Sequence, residues 1–286
     1  MNYHIDVLPF AISKNHPYKF DKNGVILSKI PYTQEHHYHT TSIASYAIKN
    51  IDEPKIFDLQ IKWLVNNIDQ DGAYRHNFTF PYYDNFQQPW IGGLCQGLAI
   101  SALIKAYKKY DKKIYLNTAK KAFNCLNRDV EDDGCVFTDS EEHVWIEEYP
   151  MCPHILNGFI YALFGIYDLY DETKNKEIKN LFDESINTIT ANLRNYDMGF
   201  WSLYDLAGKL PATEFYHMVH IKQLHALYKM TGNELMEEYS TRWKNASNNS
   251  YHHFKARIKR NILIIKKHGI SGIVMRYNQR RRWMHG

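Results

Sequence analysis

Three stretches of this chain place an acidic-glycine turn before an aromatic or β-branched run: Asp71-Gly72-Ala73-Tyr74, Asp133-Gly134-Cys135-Val136-Phe137 and Asp197-Met198-Gly199-Phe200-Trp201. Their glycines are spaced by 62 and 65 residues. Each turn follows a pair of segments whose apolar residues recur at helical spacing. The pairs are 40–50 with 54–68, 91–110 with 112–126, and 154–170 with 176–193; a fourth pair, 214–230 with 234–244, follows. Partners are joined by short polar turns such as Asp111-Lys112 and Thr231-Gly232-Asn233, as helical hairpins require. The repeating unit is therefore helix, helix, hairpin. The pattern predicts an all-α fold, an α/α toroid: an incomplete barrel of about four helix pairs, with short β-hairpins converging on one rim. Residues 1–38 stand outside the repeat as an N-terminal extension, where Lys22-Asn23-Gly24-Val25-Ile26-Leu27 reads as a hairpin or strand. Residues 39–246 form the toroid, and 247–286 a basic tail, partly helical.

Composition narrows the class. Aromatics make up 15% of the 286 residues, with 22 Tyr and 6 Trp, which suits a Tyr-padded core or a groove that stacks flat ligands such as sugar rings. No apolar run reaches membrane-spanning length, and Lys14, His16 and Lys19 interrupt the N-terminus too early for a signal peptide, so the expected location is cytoplasmic. Cys95, Cys125, Cys135 and Cys152 show no CxxC or Cys/His metal spacing and read as buried thiols. Residues 251–286 hold ten Lys or Arg and no acid, while the remainder carries 25 basic and 31 acidic groups. An acidic body with a basic tail suits contact with a polyanionic glycan or the inner face of an anionic membrane. No recognition motif accompanies the charge, which argues against nucleic acid. A homodimer is left open.

Chemistry-bearing residues gather where the hairpins meet the next helix. Glu147, Glu148 and Tyr149 precede Pro150 and Pro153 at the mouth of the third pair, and Asn157-Gly158 falls about one turn into it. A helix interior disfavours both Asn and Gly, so the step implies close approach at the glycine and a ligand bond from the Asn. Tyr204-Asp205-Leu206 follows the third hairpin; Tyr216, His217 and His220 open the fourth pair, the first and last of these sharing a face. Arg75, Trp90, Gln96 and Lys209 are further ligand-binding candidates at the same rim. The clusters His36-His37-Tyr38-His39 and His217 with His220 lack the acid of an HExxH element, so neither metal nor cofactor is expected. GxSxG and phosphate-loop motifs are absent as well.

Four pieces in order, PWIGGLCQGLAISALIKAY, IEEYPMCPHILNGFIYALFGIYDL, SLYDL and FYHMVHIKQL, resemble the C-terminal helical domain of the D-glucuronyl C5-epimerases over roughly residues 89–243. The resemblance implies inversion at C5 of a uronic acid in a heparosan-like glycan, glucuronate to iduronate, with an acidic polysaccharide as partner. It also implies that Glu148, Tyr149, Tyr204 and Tyr216 are the catalytic positions. That reaction needs proton-transfer groups for both faces of the sugar ring and a counter-charge for the substrate carboxylate. A free Tyr is ionised only about 10⁻³ at neutral pH, so acting as a base costs it about 4 kcal/mol; Glu148 as base with Tyr216 as acid avoids that cost in one direction. The family's arginine after Tyr-Asp-Leu is replaced here by Ala207-Gly208-Lys209. A lyase, a hydrolase built on Glu148 and Asp205, and a non-catalytic glycan-binding module are the alternative readings.

Overall fold

The computed structural model describes residues 19–29, 35–79 and 87–285, except for the side chains of 267, 268 and 270–285. Lys14 and His16, and the tail charges Lys267, Arg276, Arg280, Arg281 and Arg282, lie outside what is described. The chain divides into two compact units, one of Leu8–Cys152 with Gly158–Thr188, the other of Met1–Val7, Pro153–Asn157 and Ile189–Gly286. The fold is mostly helical with small strand pairs, as the repeat predicts.

The first unit opens with β1 (Lys19–Phe20), β2 (Ile26–Lys29) and β3 (His36–His37), an antiparallel sheet in that order. Its first turn forms because the Asp21 carboxylate accepts from the Asn23 and Val25 N–H groups while Gly24 takes φ 84°. Helices α1 (Thr40–Lys49) and α2 (Pro54–Asn66) follow, the second begun by a proline whose missing N–H costs nothing at that position. Gln60 of α2 ties the sheet down by accepting from Ile26 N–H and donating to the Gly24 carbonyl. Next come α3 (Gly93–Tyr110) and α4 (Lys113–Leu126), the hairpin β4 (Val136–Thr138) with β5 (Val144–Ile146), then α5 (Leu156–Thr173) and α6 (Lys176–Asn192), whose ends cross the division between units.

Each acidic-glycine turn sits where the repeat places it, but among the described residues only the second leads into a two-stranded pair. After the first, His76 and Trp90 form an isolated bridge; after the third, Asp197 pairs with Ser202 and Leu203 with Pro211. Charge links the first two turns. Arg75 donates to Asp69 and, bidentately, to Asp71, lies 3.4 Å from Asp133, and shares Asp71 with Arg128. Gln96, fully buried, accepts from Tyr74 N–H and donates to the carbonyls of Gly72 and Ala122. The sequence placed both residues on a ligand; the structure commits them to the turns.

The second unit contains α7 (Glu214–Thr231), α8 (Glu234–Ser247) and α9 (Ser250–His285), the last broken at Gly269 by a φ of 67°. Caps explain two starts: Thr213 accepts from Tyr216 N–H and Asn233 from Leu235 N–H. Trp201, Ala212 and the inward Ala256 of α9 make its core cluster. Outward, Tyr251, Phe254, Ile258, Ile262 and Ile265 form an exposed stripe beside Lys255, Lys259 and Lys266. Among the described residues no helix is long and apolar enough to cross a membrane.

Helices α3 and α5 meet backbone to backbone in the first unit. A Cβ on Gly97 would stand 2.5 Å from the Ala162 Cα, and one on Gly165 would stand 2.1 Å from the Gly97 carbonyl oxygen. Intrinsic propensity favours alanine over glycine in a helix by about 1 kcal/mol, whereas overpacking a rigid backbone contact costs about 1–3 kcal/mol. The contact therefore decides the sign. Gly97→Ala is expected to lower the midpoint of thermal or urea unfolding, and a midpoint raised above wild type would refute this packing.

Candidate active site

Strand β5 runs out through Ile146 and Glu147 into Glu148 and Tyr149, and three glycines make room for that segment. A Cβ on Gly92 would lie 2.3 Å from the Glu148 carbonyl oxygen, and one on Gly93 2.8 Å from that of Glu147. The Gly93 N–H donates to the Glu147 carbonyl at 2.7 Å, so the segment is fixed against the start of α3. Gly158, in the first turn of α5, is the third: a Cβ there would stand 2.1 Å from Glu148 Oε2. The Asn157-Gly158 step thus leaves the volume in which the Glu148 carboxyl sits.

That carboxyl is buried, 5% exposed, and its Oε2 makes no hydrogen bond to any of the described residues. Burial raises its pKa from the ordinary 4.5 to about 8, opposed by a hydrogen bond from the Tyr149 hydroxyl and aided by the neighbouring charge of Glu147. Tyr149 is half-buried and packs edge-on against Trp90, with ring centroids 5.4 Å apart, over a small cluster of Phe78, Trp90 and Cys95. Trp90 itself is buried and its indole N–H donates to the Phe78 carbonyl, so it presents a wall rather than an open stacking face.

In the other unit the predicted residues fall into two groups. Tyr204 and Tyr216 pack together, centroids 4.9 Å apart, both half-buried against the Trp201 cluster. The Tyr204 carbonyl accepts from Leu156 N–H, which fixes the Tyr204 backbone to the start of α5, and Asp205, buried, accepts from Gly208 N–H to close its own loop. Lys209 is exposed at φ 47°. Asn157 is buried; its carbonyl accepts from Gln223, while its Oδ1 and the Gln223 Oε1 have no hydrogen-bond partner among the described residues. Two buried acceptors of this kind suit a hydroxyl-bearing ligand.

His217 and His220 depart from the sequence reading. Both are fully buried, and both Nδ1 atoms lie 2.8 Å from Ser202 Oγ. Because Ser202 N–H also donates to His217 Nδ1, that ring is neutral with its proton on Nε2, toward the Trp243 carbonyl. Trp201 stacks on it at 3.7 Å. Burial lowers the pKa of His217 to about 4 and that of His220 well below its ordinary value. Neither supplies positive charge at neutral pH, so neither lowers a tyrosine pKa or neutralises a carboxylate there. Arg75, held by three carboxylates, does not either.

Raised in the fold, the Glu148 pKa has a defined thermodynamic sign. The native state holds the proton that the unfolded chain releases, so the stabilisation is complete below about pH 4.5 and is lost as the pH rises through 8. The full span is on the order of 5 kcal/mol. Wild-type protein is expected to lose stability between pH 5 and pH 9, and Glu148→Gln to flatten that dependence. Identical pH profiles of unfolding for the two proteins would contradict a buried carboxyl.

Comparison with known proteins adds an independent line. Residues 68–245 match the family model described as D-glucuronyl C5-epimerase C-terminus. The chain is 34% identical to an uncharacterized protein of Methanocaldococcus jannaschii over 177 residues, covering 60% of this chain and 57% of that one. It is 32% identical to the D-glucuronyl C5-epimerase of Caenorhabditis elegans over 174 residues, covering 54% of this chain and 28% of that enzyme. The alignment thus spans little more than half of the first relative and about a quarter of the second.

Proposed function

The chain belongs to the D-glucuronyl C5-epimerase family, matching its C-terminal part, and on that premise we propose that it inverts C5 of glucuronate residues in a heparosan-like acidic glycan, giving iduronate. The observation that carries the reading is Glu148: a buried carboxyl beside a glycine, hydrogen-bonded to a tyrosine, with a pKa of about 8.

The chemistry asks for a base strong enough to take a proton from carbon beside a carboxylate, and for an acid to return one to the opposite face. An ordinary carboxylate is ionised at neutral pH but is a weak base. A free tyrosinate is a stronger base but costs about 4 kcal/mol to form. At a pKa of about 8, Glu148 costs only about 1.4 kcal/mol to ionise at pH 7 and binds the proton more firmly than a solvated carboxylate. Its proposed role is the base, with Tyr149 holding the ionised form through the hydroxyl hydrogen bond. Tyr216, in contact with Tyr204, is the proposed acid, as the sequence reading has it. With Arg75 and both histidines otherwise engaged, the counter-charge for the uronate falls to Lys209. Asp205 closes its own loop, which weakens the hydrolase reading that needs it as a second catalytic carboxylate.

Incubating the protein with a heparosan oligosaccharide in D₂O and following the uronate by NMR tests the reading. Loss of the C5 proton signal, with iduronate resonances growing in, is the expected result. Loss of the signal with ultraviolet absorbance of an unsaturated uronate means a lyase, and no exchange at all defeats the proposal. The exchange rate is expected to rise with pH up to about 8, where Glu148 ionises, and to fall by at least 10²-fold in Glu148→Gln, the scale of a lost general base. Lys209→Ala is expected to raise KM several-fold with a smaller change in kcat; an unchanged KM removes Lys209 from the site.

A further inference from the structure

Three residues that the sequence gives no reason to group converge in the first unit. His39 caps the start of α1, Cys95 lies in the first turn of α3, and His76 belongs to the bridge with Trp90. One ligand atom from each lies within 4.8 Å of the other two, and all three residues are buried. Among the described residues this is the one group of three His, Cys, Asp or Glu with that property.

We propose that His39, His76 and Cys95 form a binding site for a borderline-to-soft transition-metal ion, with zinc(II) as the fitting species. Two imidazoles and a thiolate are the donors such ions select, and three protein ligands leave a fourth position open. The spacing agrees. Metal–sulfur and metal–nitrogen bonds of about 2.3 and 2.0–2.1 Å at a tetrahedral angle put sulfur and nitrogen about 3.6 Å apart, and His39 Nε2 lies 3.7 Å from Cys95 Sγ.

The surroundings fit as well. His76 Nε2 accepts from Thr40 N–H at 3.2 Å, so that nitrogen carries a lone pair rather than a proton, and an ion bound there would displace this N–H. Its other nitrogen lies near the Trp90 carbonyl without closing a hydrogen bond, the arrangement in which a backbone oxygen orients a ligating ring. The Cys95 sulfur is 3.1 Å from Thr41 Oγ1, a hydroxyl able to donate to a thiolate. Around the donors stand Phe78, edge-on to both histidines, and Trp90, stacked on His76 at 4.5 Å. The apolar wall excludes water, and all three donors, the protonated thiol included, are neutral before an ion binds. Binding replaces the Cys95 sulfur–hydrogen bond by a sulfur–metal bond and releases one proton to solvent.

The test uses the full-length protein, stripped with chelator and titrated with cobalt(II) as a spectroscopic stand-in for zinc. One equivalent per chain is expected to bind, with the ultraviolet thiolate-to-cobalt charge-transfer band and the visible bands of tetrahedral cobalt, and zinc is expected to displace it. Cys95→Ser is expected to lose the charge-transfer band, and His39→Gln or His76→Gln to weaken binding at least tenfold, while Cys135→Ser behaves as wild type. Circular dichroism and unfolding midpoints establish that each variant is folded. Absence of a charge-transfer band in folded wild-type protein, or equal loss of it in Cys135→Ser, overturns the site. Its failure leaves the exchange assay on heparosan unaffected, so the two readings stand or fall separately.

Discussion

A carboxyl group taken out of water must either find a counter-charge or keep its proton, and Glu148 keeps its proton. The structure around it follows from the space this requires. Glycine is needed in the first turn of α5 because any Cβ would occupy the Glu148 oxygen, and two more glycines open α3 because the backbone of Glu147 and Glu148 passes against it. The helices accept weak formers at their starts, where propensity matters least, in return for a segment held from both sides. Close backbone packing elsewhere in the same pair, at Gly97 and Gly165, keeps α3 and α5 near enough for this arrangement to exist.

Burial also governs the rest of the titratable interior. The imidazoles of His39, His76, His217 and His220 all lose proton affinity for the same reason that Glu148 gains it: the charged form is the one that burial penalises. Cations that remain charged are spent on carboxylates, as Arg75 is on Asp71. Glu148 would ionise in a surround that is largely apolar and beside the buried Glu147, whose charge adds to the cost. A base placed there has a proton affinity set by the fold, which an exposed carboxylate does not.

Local features were legible in the sequence, while features made by distant residues were not. Helix ends agree within three residues because proline, capping Thr213 and Asn233, and the turns mark them in the chain itself. The Asn157-Gly158 step announced a close approach because a helix has no other use for glycine there. Arg75 misled because its isolated positive charge suggested a ligand, although Asp71 stands four residues before it and pairs with it bidentately. His217 and His220 misled because helical spacing tells which residues share a face but not whether that face meets solvent or Trp201 and Trp243. His39, His76 and Cys95 are separated by 37 and 19 residues, beyond any local spacing rule.

The proposed metal donors and the catalytic segment share a wall, and this bears on what an ion would do. Tyr149 packs on Phe78, Trp90 and Cys95, and Trp90 is positioned by its bridge to His76. An ion bound by His39, His76 and Cys95 would join the cap of α1, the bridge to Trp90 and the first turn of α3 by direct bonds, added to the packing and hydrogen bonds that already hold these segments. Cross-linking them removes freedom from the wall that Tyr149 leans on, and Tyr149 holds the Glu148 carboxylate. An ion held there would set the rigidity of a proton-transfer pair from behind, without touching substrate. On that view its removal loosens the Tyr149 ring before it unfolds the chain, because α3 and α5 remain joined at their glycines.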